Sequence, residues 1–190
     1  MPIIASSNGG GSFTPHPEGQ YPTICADVHD LGMMEVTWEG VKKRQHKIDI
    51  YFFCGEFVEK EGKKIPLMVR DRFTLSLNEA SKLRPFLESW RGKKFTPEEE
   101  GGFDVERLIL APAFIQVSHN ETPKGVFANI DTIMKLPKGM PVPEIPVDFV
   151  RLCFREPKPA AVGAAASSGP SYDDYPTADY PEDDSDSLPF

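Results

Sequence analysis

Cysteine is scarce. Cys25, Cys54 and Cys153 are the only three in 190 residues, and no two form a CxxC pair. That spacing excludes a disulfide framework and a zinc knuckle, and it fits a reducing compartment. Long apolar runs are missing as well. No stretch approaches the roughly 20 residues of a membrane span, and no basic segment followed by an apolar run opens the sequence. The expectation is a cytoplasmic protein that does not enter a membrane. Signatures of catalysis are equally sparse. Gly55 and Gly62-Lys63 stand too far apart for a phosphate loop, and Lys64 replaces its Ser/Thr. No nucleophile elbow is present. His16, His29, His46 and His119 lack ligand spacing. On an extended strand Asp27 and His29 share a face while Asp30 points away, so a solvated strand end suits them better than a metal site. The residues read as a binding protein and not an enzyme, with no cofactor and no metal.

Proline and glycine, by contrast, are plentiful, at 19 and 15 residues, and they divide the chain. Residues 1–21 are Gly/Ser/Pro-rich and read as a flexible lead-in. Residues 22–156 carry the hydrophobic patterning of one domain. Residues 157–171 (PKPAAVGAAASSGPS) form a linker of low complexity, and residues 172–190 an acidic tail expected to be disordered. The formal charge of −8 is uneven: residues 157–190 hold seven acids and one lysine, so −2 is left for the body. The acidic balance is a property of the tail.

Within the body, TICADVHDLGMMEVTW is a long extended stretch with Gly32 where a bulge or bend would sit. In KKRQHKIDIYFFC, Ile48, Ile50, Phe52 and Cys54 share one face and Lys47, Asp49, Tyr51 and Phe53 the other. In IPLMVRDRFTLSL, Val69, Phe73, Leu75 and Leu77 lean one way, with Asp71 out of place among them, and Met68, Arg70, Arg72 and Thr74 the other. Ser76 to Glu79 fits a capping box ahead of an apolar stripe (Ala80, Leu83, Leu87, Trp90) that stops at Gly92, and Pro85 predicts either a kink or a start near Lys82. Thr96-Pro97 is a second helix start, and residues 104–108 a further turn. AFIQVSHN and VFANIDTIMKL are two more strands joined by a hairpin at Glu121 to Gly125. The proline-punctuated residues 137–146 exclude a central strand. The predicted order βββαββ makes the fold all-β with a helical insert, a five-stranded β-barrel of the OB-fold type.

Basic residues concentrate between Val41 and Arg72, nine against five acids. Trp38, Lys42, Lys43, Arg44, Lys47, Tyr51, Phe53, Arg70 and Arg72 are the candidate binding residues. Cations track phosphates and aromatic faces stack on bases, the combination that single-stranded nucleic acid requires. In an OB-fold the face of strands two and three is the ligand surface. A second basic group, Lys82, Arg84, Arg91, Lys93 and Lys94, reads instead as the solvated outer face of a helix.

The tail closes on Asp183, Asp184, Asp186, Leu188, Pro189 and Phe190. A terminal Phe beside a carboxylate, behind a run of acids, suits an apolar pocket with a basic rim on a partner. This ending resembles the C-terminal tip of bacterial-type single-stranded DNA-binding proteins. The stretches LRPFLESWRGKKFT and ANIDTIMKLPKG, within residues 21–140, resemble proteins of phage replication and recombination modules. The resemblance implies a phage-type protein that coats single-stranded DNA in the bacterial cytoplasm during replication, recombination and repair, and recruits partner proteins of those processes through its tip. The core sequence of the cellular tetramers has no counterpart here, so their DNA contacts and tetrameric state are not implied, and homo-oligomerisation is left open. The alternative is a protein-interaction module with an OB-like barrel and a solubilising tail.

Overall fold

The computed structural model describes residues 14–38, 41–60, 62–123 and 125–155. Five strands dominate: β1 (Gly19–Trp38), β2 (Val41–Lys60), β3 (Lys63–Thr74), β4 (Pro112–Thr122) and β5 (Gly125–Lys135). They form one antiparallel sheet in the order β3-β2-β1-β4-β5. The edge strands β3 and β5 curl toward each other, with Cα atoms within 8 Å. Between β3 and β4 lie the helix α1 (Leu83–Arg91), the single turn α2 (Pro97–Glu100) and a 3-10 turn (Val105–Leu108). No helix among the described residues is long and apolar enough to cross a membrane.

The strand alternation builds the core. Ile48, Ile50 and Phe52 of β2 point inward with Cys25 and Val28 of β1, Val69 and Phe73 of β3, and Ala113, Ile115 and Val117 of β4. Helix α1 covers this layer with Leu83, Leu87 and Trp90. The Trp90 ring lies 5.2 Å from that of Phe52, and its indole N–H donates to the Pro112 carbonyl at 2.9 Å. Each large side chain buried here stabilises the fold by about 1.5–3 kcal/mol. Ser89 Oγ donates to the Ile133 carbonyl and so ties the helix to β5.

Several local signals act as the sequence predicts. Gly32 sits at φ +69° beside a register shift, and its N–H donates to Asp30 Oδ1 at 2.7 Å. Thr96 and Glu99 complete a capping box around α2. The capping box expected at Ser76 to Glu79 does not start a helix. Ser76 and Asn78 instead accept from the amides of Asn78 and Ala80 in tight turns, and α1 begins at Leu83. Pro85 then falls in the first turn, where its missing N–H would have had no intrahelical partner. Asp71 is explained too: it faces inward, and its Oδ1 accepts from Lys82 Nζ at 3.0 Å. Burial pushes its carboxyl above the usual range, with Lys82 pulling the other way.

The expected lead-in ends earlier than residue 21. β1 starts at Gly19, and His16 is buried against Tyr21, their ring centroids 4.7 Å apart. His119 of β4 pins this segment, its Nε2–H donating to the His16 carbonyl at 2.8 Å and its amide to Glu18 Oε1 at 2.7 Å. At the other end, residues 137–155 form no strand. They pack back onto the sheet and finish in a 3-10 turn (Leu152–Phe154).

Candidate nucleic-acid interface

Directly opposed residues of an antiparallel pair share a face of the sheet, so the register defines the surface on the side away from the core. Asp49 lies opposite His29 and Arg72, Tyr51 opposite Asp27 and Arg70, and Phe53 opposite Ile24 and Met68. Lys47 opposes Gly32 and Thr74. Lys47 Nζ donates to Thr74 Oγ1 at 2.7 Å, and Thr74 Oγ1 donates to Gln45 Oε1 at 3.3 Å, which places all three side chains on this outer face.

At its centre is a buried ion cluster. Asp49 is 0% exposed and accepts from Arg72 Nε at 2.8 Å, Arg72 Nη2 at 3.2 Å and Arg70 Nη1 at 2.7 Å. Two guanidiniums share one carboxylate, so the cluster carries a net positive charge with fixed geometry. Tyr51, half-buried, lies next to this cluster on the same face.

Toward the β1–β2 hairpin the ladder runs on as a two-stranded ribbon, and here the candidate cations separate. Lys43 pairs with Val36, Gln45 with Met34 and Lys47 with Gly32. Lys42 pairs with Thr37 and Arg44 with Glu35, one pleat away on the opposite face. On that opposite face Lys42 Nζ meets Glu35 Oε1 at 2.8 Å, and His46 Nε2 lies 2.6 Å from Asp30 Oδ1. The amide of Gly32, with His46 beside it, holds the Asp30 carboxyl below its ordinary range. Trp38 is the last residue of β1, opposite Val41; its side chain lies outside the described set.

Phe53 is a correction. Expected as a stacking platform beside Tyr51, it is 1% exposed, with its ring edge-on to Phe57 at 5.4 Å. Alternation put it on the outer face correctly, but the return of the chain touches that face at Gly55 and at Asp27, to either side of it. Pro143 comes within 3.6 Å of the position a Cβ on Gly55 would occupy. Eight residues on, Arg151 Nε donates to Asp27 Oδ1 at 2.8 Å and the Leu152 amide to Asp27 Oδ2 at 2.7 Å. Asp27 is thereby 1% exposed on the same outer face. Arg151 also reaches Glu106 Oε1 at 3.0 Å, and these partners raise its pKa. Sequence reasoning missed Arg151: a partner 124 residues away leaves no local pattern.

The second basic group is largely spoken for. Lys82 meets Asp71, Arg84 meets Glu88 and Glu100, and Arg91 and Lys93 meet Glu99. Among the described residues no three His, Cys, Asp or Glu side chains gather as a metal site would require. Both core thiols are raised by burial, Cys25 to about 12 and Cys54 to about 11. The partner-binding candidates Asp183, Asp184, Asp186, Leu188, Pro189 and Phe190 lie outside the described residues.

No protein-family model matches the chain, and no curated protein does so either.

Proposed function

We propose that the protein is an OB-fold single-stranded DNA-binding protein. Strand order 3-2-1-4-5, antiparallel throughout, with the edge strands converging and a helix between β3 and β4, is the topology such a barrel requires. The observation that carries the function is the outer face of β1, β2 and β3. There Lys43 and Lys47 lead along β2 to Arg72, Arg70 and Tyr51 on the side opposite the core. Cations spaced along a strand follow a phosphate backbone whatever the sequence, and a tyrosine face stacks on any base. No step of this activity requires catalysis. On the same reading the acidic tail recruits replication, recombination and repair proteins through Leu188, Pro189 and Phe190.

Titration of labelled oligo-dT over a salt series tests the proposal. Single-strand binding by phosphate contacts gives log K that falls with log salt at about 0.7 per phosphate neutralised. Affinity that is absent at low salt overturns it.

A second reading, a protein-interaction module, has two observations in its favour. Asp49 offsets half the charge of the two arginines, and residues 143–152 cover part of the face. Failure of the oligo-dT titration with an intact fold would select it.

A further inference from the structure

The ribbon at the β1–β2 hairpin has two chemically different faces, although its cations are consecutive in sequence. One face presents Lys43, Gln45 and Lys47 opposite Val36, Met34 and Gly32. Met34 and Val36 are half-buried there. The other presents Lys42, Arg44 and His46 against Thr37, Glu35, Met33 and Asp30. There Lys42 meets Glu35 at 2.8 Å, and the His46 ring lies 2.6 Å from Asp30. The first face joins cations to half-buried apolar side chains, counter-charge for phosphate and apolar surface for bases, whereas on the other the carboxylates of Glu35 and Asp30 offset the charges of Lys42 and Arg44.

The first face runs without a break into Arg72, Asp49, Arg70 and Tyr51, because Lys47, Asp49 and Tyr51 alternate along β2 in one pleat. Past Tyr51 it meets the crossing chain. Phe53 is covered, Pro143 lies against Gly55, and Arg151 and Leu152 hold Asp27. The basic residues beyond that crossing, Lys60, Lys63 and Lys64 of the β2–β3 hairpin, are thus separated from Lys43 and Lys47 by residues 143–152.

We propose that single-stranded DNA occupies one lane only, the outer face from Lys43 through Lys47, Arg72 and Arg70 to Tyr51, and that residues 143–152 form the wall that ends it. The inference rests on the reading of the protein as a single-strand binder and names the cations that carry it. From Lys43 to Tyr51 the lane is nine residues of strand, eight steps that span about 26 Å at 3.3 Å per residue. That length places the footprint toward the short end of the roughly 4–16 nucleotides bound by OB-folds.

Three double variants with the same loss of charge separate the faces: Lys43→Gln/Lys47→Gln in the lane, Lys42→Gln/Arg44→Gln behind it, and Lys63→Gln/Lys64→Gln beyond the wall. Each is titrated with fluorescent oligo-dT from about 0.05 to 0.3 M salt, where screening confines the effect of a charge to its neighbourhood. The lane variant is expected to lose about tenfold in affinity, with the salt slope shallower by about 1.4. The other two stay within about twofold of wild type. Lys47 donates to Thr74, so the single variants Lys43→Gln and Arg44→Gln, at two neighbouring exposed positions, repeat the contrast. Equal losses in all three doubles, or in both singles, overturn the lane while leaving single-strand binding in place. Wild-type protein that does not bind oligo-dT overturns both.

Discussion

Arg151 reaches Asp27 across 124 residues of sequence, its Nε 2.8 Å from a carboxylate that is 1% exposed on the outer face of β1. The pair fastens the proline-rich return of the chain to the sheet. An aspartate buried at such a point is tolerable only because a guanidinium and the Leu152 amide together satisfy both of its oxygens. Arg151→Met leaves that carboxylate with the amide alone. The expected loss is about 3–5 kcal/mol of folding stability by urea denaturation, and the double variant Asp27→Asn/Arg151→Met should recover much of it. A loss below about 1 kcal/mol for Arg151→Met would show that the return segment is not anchored here.

Tyr51 and Phe53 are two residues apart on one face, yet their substitutions should be read out by different instruments. Tyr51→Ala removes a half-buried ring from the proposed lane and should weaken oligo-dT binding by about 1–3 kcal/mol with little change in melting temperature. Phe53→Ala empties a site that is 1% exposed and should cost about 3–5 kcal/mol of stability. Loss of stability in the first and loss of affinity alone in the second would invert the assignment.

His16 gives the fold a pH dependence. Burial lowers its pKa below the ordinary 6.5, while the Pro17 carbonyl and Glu56 pull upward and His119 adds to the lowering. The folded state therefore holds the ring neutral where the unfolded chain takes up a proton. Its contribution is fully present above pH 6.5 and is lost as pH falls below it. Wild type should lose stability faster than His16→Gln between about pH 7 and pH 5, so the gap between them narrows on acidification. A gap that widens over this range contradicts the burial of a neutral ring.

Phe190→Ala tests the tail apart from the body. Oligo-dT affinity should stay within about twofold of wild type, because the proposed lane lies wholly on β1, β2 and β3. Recovery of replication and repair proteins from a bacterial lysate should be lost. Equal recovery by both proteins removes the tip from the proposal.

Strand periodicity was the most legible part of this chain. The alternation of Ile48, Ile50 and Phe52 against Asp49 and Tyr51 is a local property, and it located both faces of β2 before any partner was known. Gly32, Gly92 and the Thr96 capping box are likewise local, and each acts where the sequence put it. What could not be read is what lies over a face. Periodicity says that Phe53 points away from the core; that it is 1% exposed all the same depends on packing from outside its own strand pair. Arg70 and Arg72 looked like surface cations for a related reason: that both converge on Asp49 depends on β2–β3 register, which the sequence does not print. The division of Lys42 and Arg44 from Lys43 and Lys47 was latent in the alternation, but it acquires meaning only beside Glu35 and Asp30 on the facing strand.

The ribbon has a further consequence for how the molecule opens. From Gly32 to Trp38 β1 pairs only with β2, and from Val41 to Gln45 β2 pairs only with β1. Its backbone is secured by a single ladder, whereas the same two strands are flanked on both sides near Ile24 and Phe53. The amide protons of the ribbon can therefore exchange with solvent through local fraying, without the cost of disrupting the core around Phe52 and Trp90. A bound strand lying on one side of it would act as a splint, lending this part of the protein an order that its own hydrogen bonds supply only in part.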